Sequence, residues 1–219
     1  ALLFYKRLRG DLEDLGFIIN PYDPCVANKM INGKQITVCW HVDDLKVSHE
    51  DETVLDWFEE KLVKLYGKKI KVHRGDGPDG QVFDYLGQHL DFESKPGSLI
   101  VGMVPYLDTI IKEWPEQLKN TKVCPANDNL FVMRDEENRE LLNEELALQF
   151  HRTTAQLLFL TMRARPDVQT AVLFFTTRVK SPDKDDWGKL RHTLIYLKGT
   201  LHMKRIMRAD DLTSIHWWV

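Results

Sequence analysis

The distribution of hydrophobic residues predicts a helix and then a group of short strands in the first fifty residues. Leu8, Leu12 and Leu15 recur at helical spacing, and Gly16 follows where a helix C-cap is expected. Two segments rich in strand-forming residues flank Asn32-Gly33, a dipeptide typical of a two-residue hairpin turn. With a third strand after them, they form a predicted three-stranded meander at residues 25–31, 34–40 and 45–49.

The turn at Asn32-Gly33 also predicts the register of the first hairpin. It places Val26 opposite Cys39 and Cys25 opposite Trp40. Because adjacent strand residues face opposite sides, Cys25 and Cys39 are expected on different faces and not in a disulfide. The chain has 3 cysteines without the spacing of a metal site, which is typical of reduced intracellular thiols.

The later pattern is first mixed and then helical. Residues 52–66 are predicted to form an amphipathic helix with Leu55, Phe58, Leu62 and Leu65 on one face. The other predicted elements are a hairpin with arms at 81–94 and 98–104 that turns at 95–97, a helix between Pro105 and Pro115, and helices at 145–164, 165–180 and 181–200. Ser181 is the expected N-cap of the last helix, and Gly199 is expected just beyond its end. The predicted fold class is α+β.

Composition limits the class of protein. A chain of 219 residues, 43% of them hydrophobic, can bury the core of one large or two small domains. No run approaches the roughly 18 apolar residues of a membrane span, and the N-terminus lacks the layout of a signal peptide. We therefore expect a soluble intracellular protein. The chain starts without methionine in a helical pattern and stops in a strand-like one, so we expect it to be a fragment.

The net charge of −3 conceals an uneven distribution. Residues 128–149 carry seven acids and two bases and are predicted to be a solvated connector. Residues 150–208 carry twelve Lys and Arg residues and four Asp residues. Such a basic excess suits binding to a phosphate backbone, and it also suits an ordinary solvated helix surface.

One stretch carries candidate chemistry: "VCWHVDDLKVS", residues 38–48, sets Asp43 and Asp44 side by side between strand-forming residues. Proteins hold Mg²⁺ with one or two carboxylates together with substrate phosphates. A pair of such ions activates a 3′-hydroxyl and stabilises leaving pyrophosphate, which is the chemistry of nucleotidyl transfer. Aspartate is also common in exposed turns, so an ordinary turn is the alternative.

Three blocks of sequence, in this order, resemble the reverse transcriptase of copia-type LTR retrotransposons. They are "GFIINPYDPCVANKMINGKQITVCWHVDDLKVSH", "YLGQHLDF" and "RARPDVQTAVLFFTTRVKSPDKDDWGKLRHTLIYLKGT". The resemblance implies a partial right-handed polymerase palm, an antiparallel meander with helices, at residues 1–104. It places a helical thumb and connector at 105–200 and the truncated start of a ribonuclease H-like domain at 201–219.

The resemblance also implies roles for particular residues. Asp43 and Asp44 would be catalytic carboxylates that bind Mg²⁺ or Mn²⁺, and Tyr85, Leu86 and Gly87 would belong to the primer grip. The residues expected to bind nucleic acid are Arg152, Arg163, Arg165, Lys180, Arg191 and Lys198. Lysines near a helix end are candidates for assisting pyrophosphate departure, although the helix dipole also favours lysines there; they are Lys64, Lys68 and Lys69.

The implied partners are an RNA or DNA template with its primer, deoxynucleoside triphosphates, and the rest of a Pol polyprotein with its integrase and ribonuclease H. No membrane partner is expected. The implied location is a cytoplasmic virus-like particle or the nucleus.

The chain departs from the family pattern at two points. His41 stands where most relatives have tyrosine; it either contacts the primer end or is a half-buried strand residue, and we favour the second interpretation. The family's first metal-binding aspartate lies in a strand further upstream than this chain reaches. We therefore expect that carboxylate before residue 1 and expect the segment alone to be inactive.

Two other functions remain open. The chain could be a non-catalytic nucleic-acid-binding or globular remnant of a decayed element, in which the aspartate pair is a relic. It could also be an unrelated divalent-metal protein that uses His41, Asp43 and Asp44. That option is disfavoured because adjacent strand residues face opposite sides and offer few convergent ligands.

Overall fold

The computed structural model describes residues 2–67, 70–76, 80–92, 94–95 and 97–208. The chain divides into two compact units, Ala1–His73 and Arg74–Val219, called here the N-terminal and the C-terminal unit. In the described ranges the fold is α+β, with two four-stranded antiparallel sheets and six α-helices. No helix in these ranges is long and apolar enough to cross a membrane.

The N-terminal unit is a four-stranded meander with two helices. Its elements are α1 (Leu2–Asp14), β1 (Ile18–Ile19), β2 (Val26–Ile31), β3 (Lys34–His41), β4 (Asp44–Ser48) and α2 (Glu52–Tyr66). The strands pair in chain order, and β1 is a short addition to the three predicted strands. Val26 lies opposite Cys39, which confirms the predicted register, and both cysteines of the hairpin are free.

One face of this sheet is covered by the helices. Alternate residues of β3 point to that side and are fully buried, because the period of a strand is two. Helix α2 contributes a stripe centred on Val54, Phe58 and Leu62, so the predicted positions Leu55 and Leu65 are only half-buried. The core of the unit includes Leu8, Leu12, Ile36, Val38, Trp40, Val54, Phe58 and Leu62.

The C-terminal unit combines a second sheet with a helical bundle. Its elements are β5 (Val82–Tyr85), β6 (Gln88–Asp91), β7 (Ser98–Gly102), α3 (Val104–Glu113), α4 (Glu144–Arg163), α5 (Gln169–Thr176), α6 (Lys184–Gly199) and β8 (Arg205–Arg208). Short 3₁₀ turns lie at Glu136–Asn138 and Pro166–Val168. The predicted stripe of α6 is buried, with Trp187, Leu190, Leu194 and Leu197 in one core with α3, α4 and α5.

The second sheet differs from the prediction in its turns. The predicted arm at 81–94 contains a hairpin of its own, in which β5 and β6 pair around Leu86 and Gly87. Both turn residues have positive φ, 50° and 75°, as a type I′ turn requires. Leucine is not a typical residue for this conformation, so the turn has no clear sequence signal.

The position of strand β8 bears on the domain boundaries predicted at residues 104 and 200. The strand pairs antiparallel with β7, and Ser98 lies opposite Arg208. Residues 205–208 therefore complete the sheet of residues 82–102, and the predicted boundaries at 104 and 200 do not coincide with the division after His73. Most of the predicted start of a ribonuclease H-like domain, at 209–219, lies outside the described residues.

The start of α6 corrects the predicted N-cap. The cap is Asp183 and not Ser181, because the Asp183 carboxylate accepts hydrogen bonds from the backbone N–H groups of Asp185 and Asp186. The Asp186 side chain accepts in return from the backbone N–H of Asp183, which completes a capping box. The helix also includes Gly199 and is capped by Thr200, one residue later than predicted.

An ion pair between the buried Arg165 and the more exposed Asp167 joins the ends of the bundle helices. Arg165 is 2% exposed, and its guanidinium donates to both carboxylate oxygens of Asp167 at 2.9 and 2.8 Å. It also donates to the carbonyl and hydroxyl oxygens of Thr200 at 2.9 and 2.7 Å, while the Tyr196 hydroxyl donates to Asp167. Burial opposes ionisation of Asp167, but hydrogen bonds and the charge of Arg165 outweigh it and lower the pKa of this carboxyl.

Replacing the buried arginine should therefore destabilise the C-terminal unit. Arg165→Leu removes the donor of the Thr200 oxygens and leaves the 29% exposed Asp167 carboxylate with Tyr196 and solvent, and we expect a loss of about 1–3 kcal/mol in the free energy of unfolding. Urea denaturation followed by circular dichroism measures it. Arg152→Leu removes an exposed partner of Glu113 and should cost about 1 kcal/mol or less. Equal losses in the two variants would show that the Arg165 network adds nothing to stability.

Candidate functional site

The two adjacent aspartates lie at the tip of the β3–β4 hairpin. Strand β3 ends at His41, strand β4 begins at Asp44, and these two residues face each other across the hairpin. Val42 and Asp43 form the turn between them. The side chains of both aspartates are exposed, so neither carboxylate bears the desolvation cost of burial.

The turn holds a valine in an unfavourable conformation. Val42 has φ of 56°, and Asp43 does not share the positive φ, which is the pattern of a type II′ turn. That position normally takes glycine, and a β-branched residue there is a clear outlier. Backbone strain of this kind costs about 1–3 kcal/mol and persists only where the surrounding structure imposes it.

The core behind the hairpin supplies that constraint. Trp40 is 4% exposed, lies opposite Leu45 and contacts the ring of Tyr5 at a centroid distance of 6.3 Å. Helices α1 and α2 are joined by the Tyr66 hydroxyl, which donates to Asp11. Burial and this hydrogen bond raise the pKa of Tyr66. The aspartate pair is therefore carried by a rigid hairpin.

The carboxylates lie away from this core. Leu45 and Val47 of β4 pack against it, so the alternating residues Asp44 and Lys46 are on the opposite face, with His41 and Cys39 across from them. Neither described helix of the unit, α1 or α2, packs on that face. His41 is exposed, which corrects the interpretation of this residue as half-buried.

The aspartate pair offers oxygen ligands with no competing cation. Neither Asp43 nor Asp44 has a hydrogen bond or ion pair to any side chain in the described ranges. Carboxylates of this kind are the donors that Mg²⁺ and Mn²⁺ prefer. However, no group of three or more His, Cys, Asp or Glu residues that could hold a metal occurs in the part of the chain that the structure describes. The pair can therefore supply part of a coordination sphere only.

The predicted primer grip is also at a hairpin tip, in the C-terminal unit. Tyr85 is the last residue of β5 and packs against the bundle core, whereas Leu86 and Gly87 form the turn. Gly87 is exposed and its backbone can be approached closely. Of the predicted lysines, Lys64 is exposed in the last turn of α2, and Lys68 and Lys69 lie outside the described residues.

Three of the predicted nucleic-acid-binding residues make ion pairs or hydrogen bonds within the C-terminal unit. Arg152 pairs with Glu113 at 3.2 Å and Arg191 pairs with Glu116 at 2.9 Å. Lys198 donates to the carbonyl of Leu118 at 2.8 Å. These three bases fasten residues 113–118 to α4 and α6, and each remains partly exposed.

The other three predicted residues differ in accessibility. Arg165 cannot meet a phosphate, because it is buried and its donors are used by Asp167 and Thr200; this prediction is corrected. The Arg163 guanidinium lies 3.6 Å from the ring centroid of Phe159 and is half-buried. Lys180 is exposed and has no side-chain partner in the described ranges.

Sequence patterns predict neither the backbone strain at the aspartate turn nor the packing of the acidic connector against α6. By residue type Val42 is typical of a strand. Its positive φ arises only when the hairpin closes, so the sequence alone does not show it. The solvated connector is predicted at residues 128–149, but Lys189 of α6 donates to the carbonyl of Val132, and residues 144–149 belong to α4. The apolar run at 130–133, with Leu130 buried, was the available signal.

The strain at Val42 gives a stability test. Val42→Gly should raise the free energy of unfolding of the N-terminal unit by about 1 kcal/mol, because relief of strain exceeds the entropy cost of glycine. Val47→Gly, in the neighbouring strand, should lower it, because it loses packing and gains no relief. Hydrogen-exchange protection of the amides of β2 and β3 under native conditions measures both. Destabilisation by both substitutions would contradict the strained turn.

Comparison with known proteins identifies a distant relative. Over 205 residues the chain is 22% identical to a protein of Saccharomyces cerevisiae named "Putative transposon Ty5-1 protein YCL074W". The match covers 92% of this chain and 61% of that protein, so the chain spans less than two thirds of its relative's length. No family model matches, and no solved structure matches. The chain is thus similar over most of its length to a protein named as a transposon protein.

Proposed function

We propose that the chain is a segment of an RNA-directed DNA polymerase of a copia-type retrotransposon, and that Asp43 and Asp44 are metal-binding carboxylates of its active site. The observation that carries this proposal is the exposed aspartate pair on the strained tip of a rigid hairpin. Plain surface turns have no reason to hold a valine at positive φ.

The open face of the sheet adds support. The carboxylates are exposed and lie on or beside a face that neither α1 nor α2 covers in the described part of the N-terminal unit. Cross-strand contacts on the same face are polar, with Thr37 and Gln35 hydrogen-bonded to Asn28. A hydrophilic, accessible surface next to two carboxylates fits a phosphodiester substrate better than an apolar ligand.

The two carboxylates supply some of the oxygen ligands that a divalent cation needs, but not all of them. Asp43 and Asp44 would hold Mg²⁺ or Mn²⁺ by carboxylate oxygens, with the remaining positions left to water and substrate phosphates. When bound, such ions lower the barrier to attack by a 3′-hydroxyl and stabilise the leaving pyrophosphate. The protein's own contribution is the hairpin, whose backbone places the two aspartates next to each other at its tip.

Nucleic acid is the proposed partner of the exposed bases of the C-terminal unit. Arg152 and Arg191 are in exposed ion pairs, which are weak and can be exchanged for contacts with phosphate. Lys180 is exposed and has no side-chain partner in the described ranges, so it would contact phosphate without first breaking an ion pair. Binding through these residues should depend strongly on salt and little on sequence.

The transposon relative favours the same assignment, and it equally fits a second candidate. That candidate is a non-catalytic nucleic-acid-binding or globular remnant of a decayed element. The number of bases engaged in structural ion pairs favours it, because these residues stabilise the bundle whether or not nucleic acid binds. The two candidates differ in whether the aspartate pair binds metal and supports catalysis.

Metal binding can be measured on the chain itself. Asp43→Asn should weaken Mn²⁺ binding about tenfold, because it removes one of two negative charges from the hairpin tip. The melting temperature should not fall, because the Asp43 carboxylate is exposed and makes no contact in the described ranges. Isothermal titration calorimetry and a thermal melt provide the two measurements.

Asp14→Asn is the matched control, since Asp14 is exposed at the end of α1 in the same unit. This variant should bind Mn²⁺ as the parent chain does. If both substitutions weaken binding equally, the ion is held by general negative charge and not by the hairpin.

Catalysis is tested in the full reading frame that contains this chain. With Mg²⁺, the encoded polypeptide should extend a DNA primer on an RNA template, and Asp43→Asn should abolish extension without unfolding the protein. Asp14→Asn should leave extension unchanged. Full extension by the Asp43→Asn protein would refute the polymerase assignment.

A further inference from the structure

A polar cleft opens in the C-terminal unit between residues 122–140, which are called the connector from here on, and residues 184–195 of α6. Its volume is about 450 Å³, within the range of small-ligand sites. Five bases and two acids contribute to its lining, together with three asparagines. The charged lining residues are Lys122, Arg134, Glu140, Lys184, Asp185, Lys189 and Arg191.

Two of the bases have structural duties that explain their presence. Lys189 is 9% exposed, pairs with Asp185 at 2.8 Å and donates to the carbonyl of Val132, so it fastens the connector to α6. Lys184 pairs with Glu140 on the rim. Both acids of the lining are therefore paired with lysines, and these ion pairs form part of the wall of the cleft.

The remaining bases form no close ion pair with an acid of the lining. Lys122 is exposed and has no side-chain partner in the described ranges. Arg134 reaches Asp185 only at 3.9 Å and keeps 57% of its side chain exposed. Arg191 pairs with Glu116, which lies outside the lining, and is 38% exposed. The cleft therefore carries positive charge beyond what its own acids neutralise.

We propose that this cleft binds a phosphate-bearing anion, with Lys122, Arg134 and Arg191 as its cationic contacts. Several bases around one cavity favour a multiply charged anion, and arginine and lysine are the residues that bind phosphate most often. Asn127 and Asn129 line the same cavity and can donate to phosphate oxygens. The source is either the backbone of a nucleic acid or a free phosphate compound.

This inference does not depend on the aspartate pair, because the cleft lies wholly in the C-terminal unit. Its test therefore uses inorganic tripolyphosphate as the probe, without divalent metal. The full chain should bind tripolyphosphate saturably in calorimetry. The measurement involves neither divalent metal nor the hairpin aspartates, so failure of this inference and failure of the proposed function are distinguishable.

Charge reversal identifies the contacts. Lys122→Glu should weaken tripolyphosphate binding about tenfold or more, because it replaces attraction by repulsion within the cavity. Lys119→Glu is the matched control, because Lys119 is exposed, lies three residues away and is outside the lining. It should change the affinity less than about twofold. Thermal melts establish that both variants remain folded.

A short duplex DNA added as competitor identifies the source of the phosphate. Displacement of tripolyphosphate by the duplex, lost in Lys122→Glu, assigns the cleft to the nucleic-acid backbone. Tripolyphosphate binding without displacement assigns it to a free phosphate compound. Absence of saturable binding, or equal weakening in Lys122→Glu and Lys119→Glu, overturns the proposal.

Discussion

The C-terminal unit depends on the hydrogen-bonded ion pair of Arg165 and Asp167. The guanidinium reaches from the end of α4 to the end of α6, and the carboxylate receives both the guanidinium and the Tyr196 hydroxyl. A buried arginine is tolerable only when its donors are satisfied, so the two helix ends must stay where they are. The arrangement fixes the bundle that supports α3, the connector and the cleft.

The N-terminal unit is held in a different way, by alternation along its strands. Apolar residues of β3 enter the core while polar ones stay on the open face, and a slip of one residue would exchange the two faces. The register from Val26 to His41 therefore also decides where the aspartate pair points. Core packing and candidate chemistry are consequences of the same register.

Local signals in the sequence were sufficient where structure is local. Asn32-Gly33 predicted the register of a hairpin, and the apolar stripes predicted α2 and α6. Local signals do not predict contacts between distant parts of the chain, such as the one that Arg165 makes with Thr200. They also do not predict the turn at Leu86-Gly87, because leucine is atypical of its conformation. The aspartate pair was found from residue type alone, whereas the strain beside it required the closed hairpin. The palm assignment stays a prediction.

The edge of the second sheet has a consequence for biosynthesis. Arg208 donates to Ser98 across 110 residues of chain, so β7 must wait for nearly the whole unit to be synthesised before β8 can cover it. Such distant pairing is formed late and slowly. Until then β7 presents unpaired backbone groups that can join another chain. The β7 edge is thus exposed to aggregation during translation, and a ribosome that stalls before residue 205 would release a chain with that edge open.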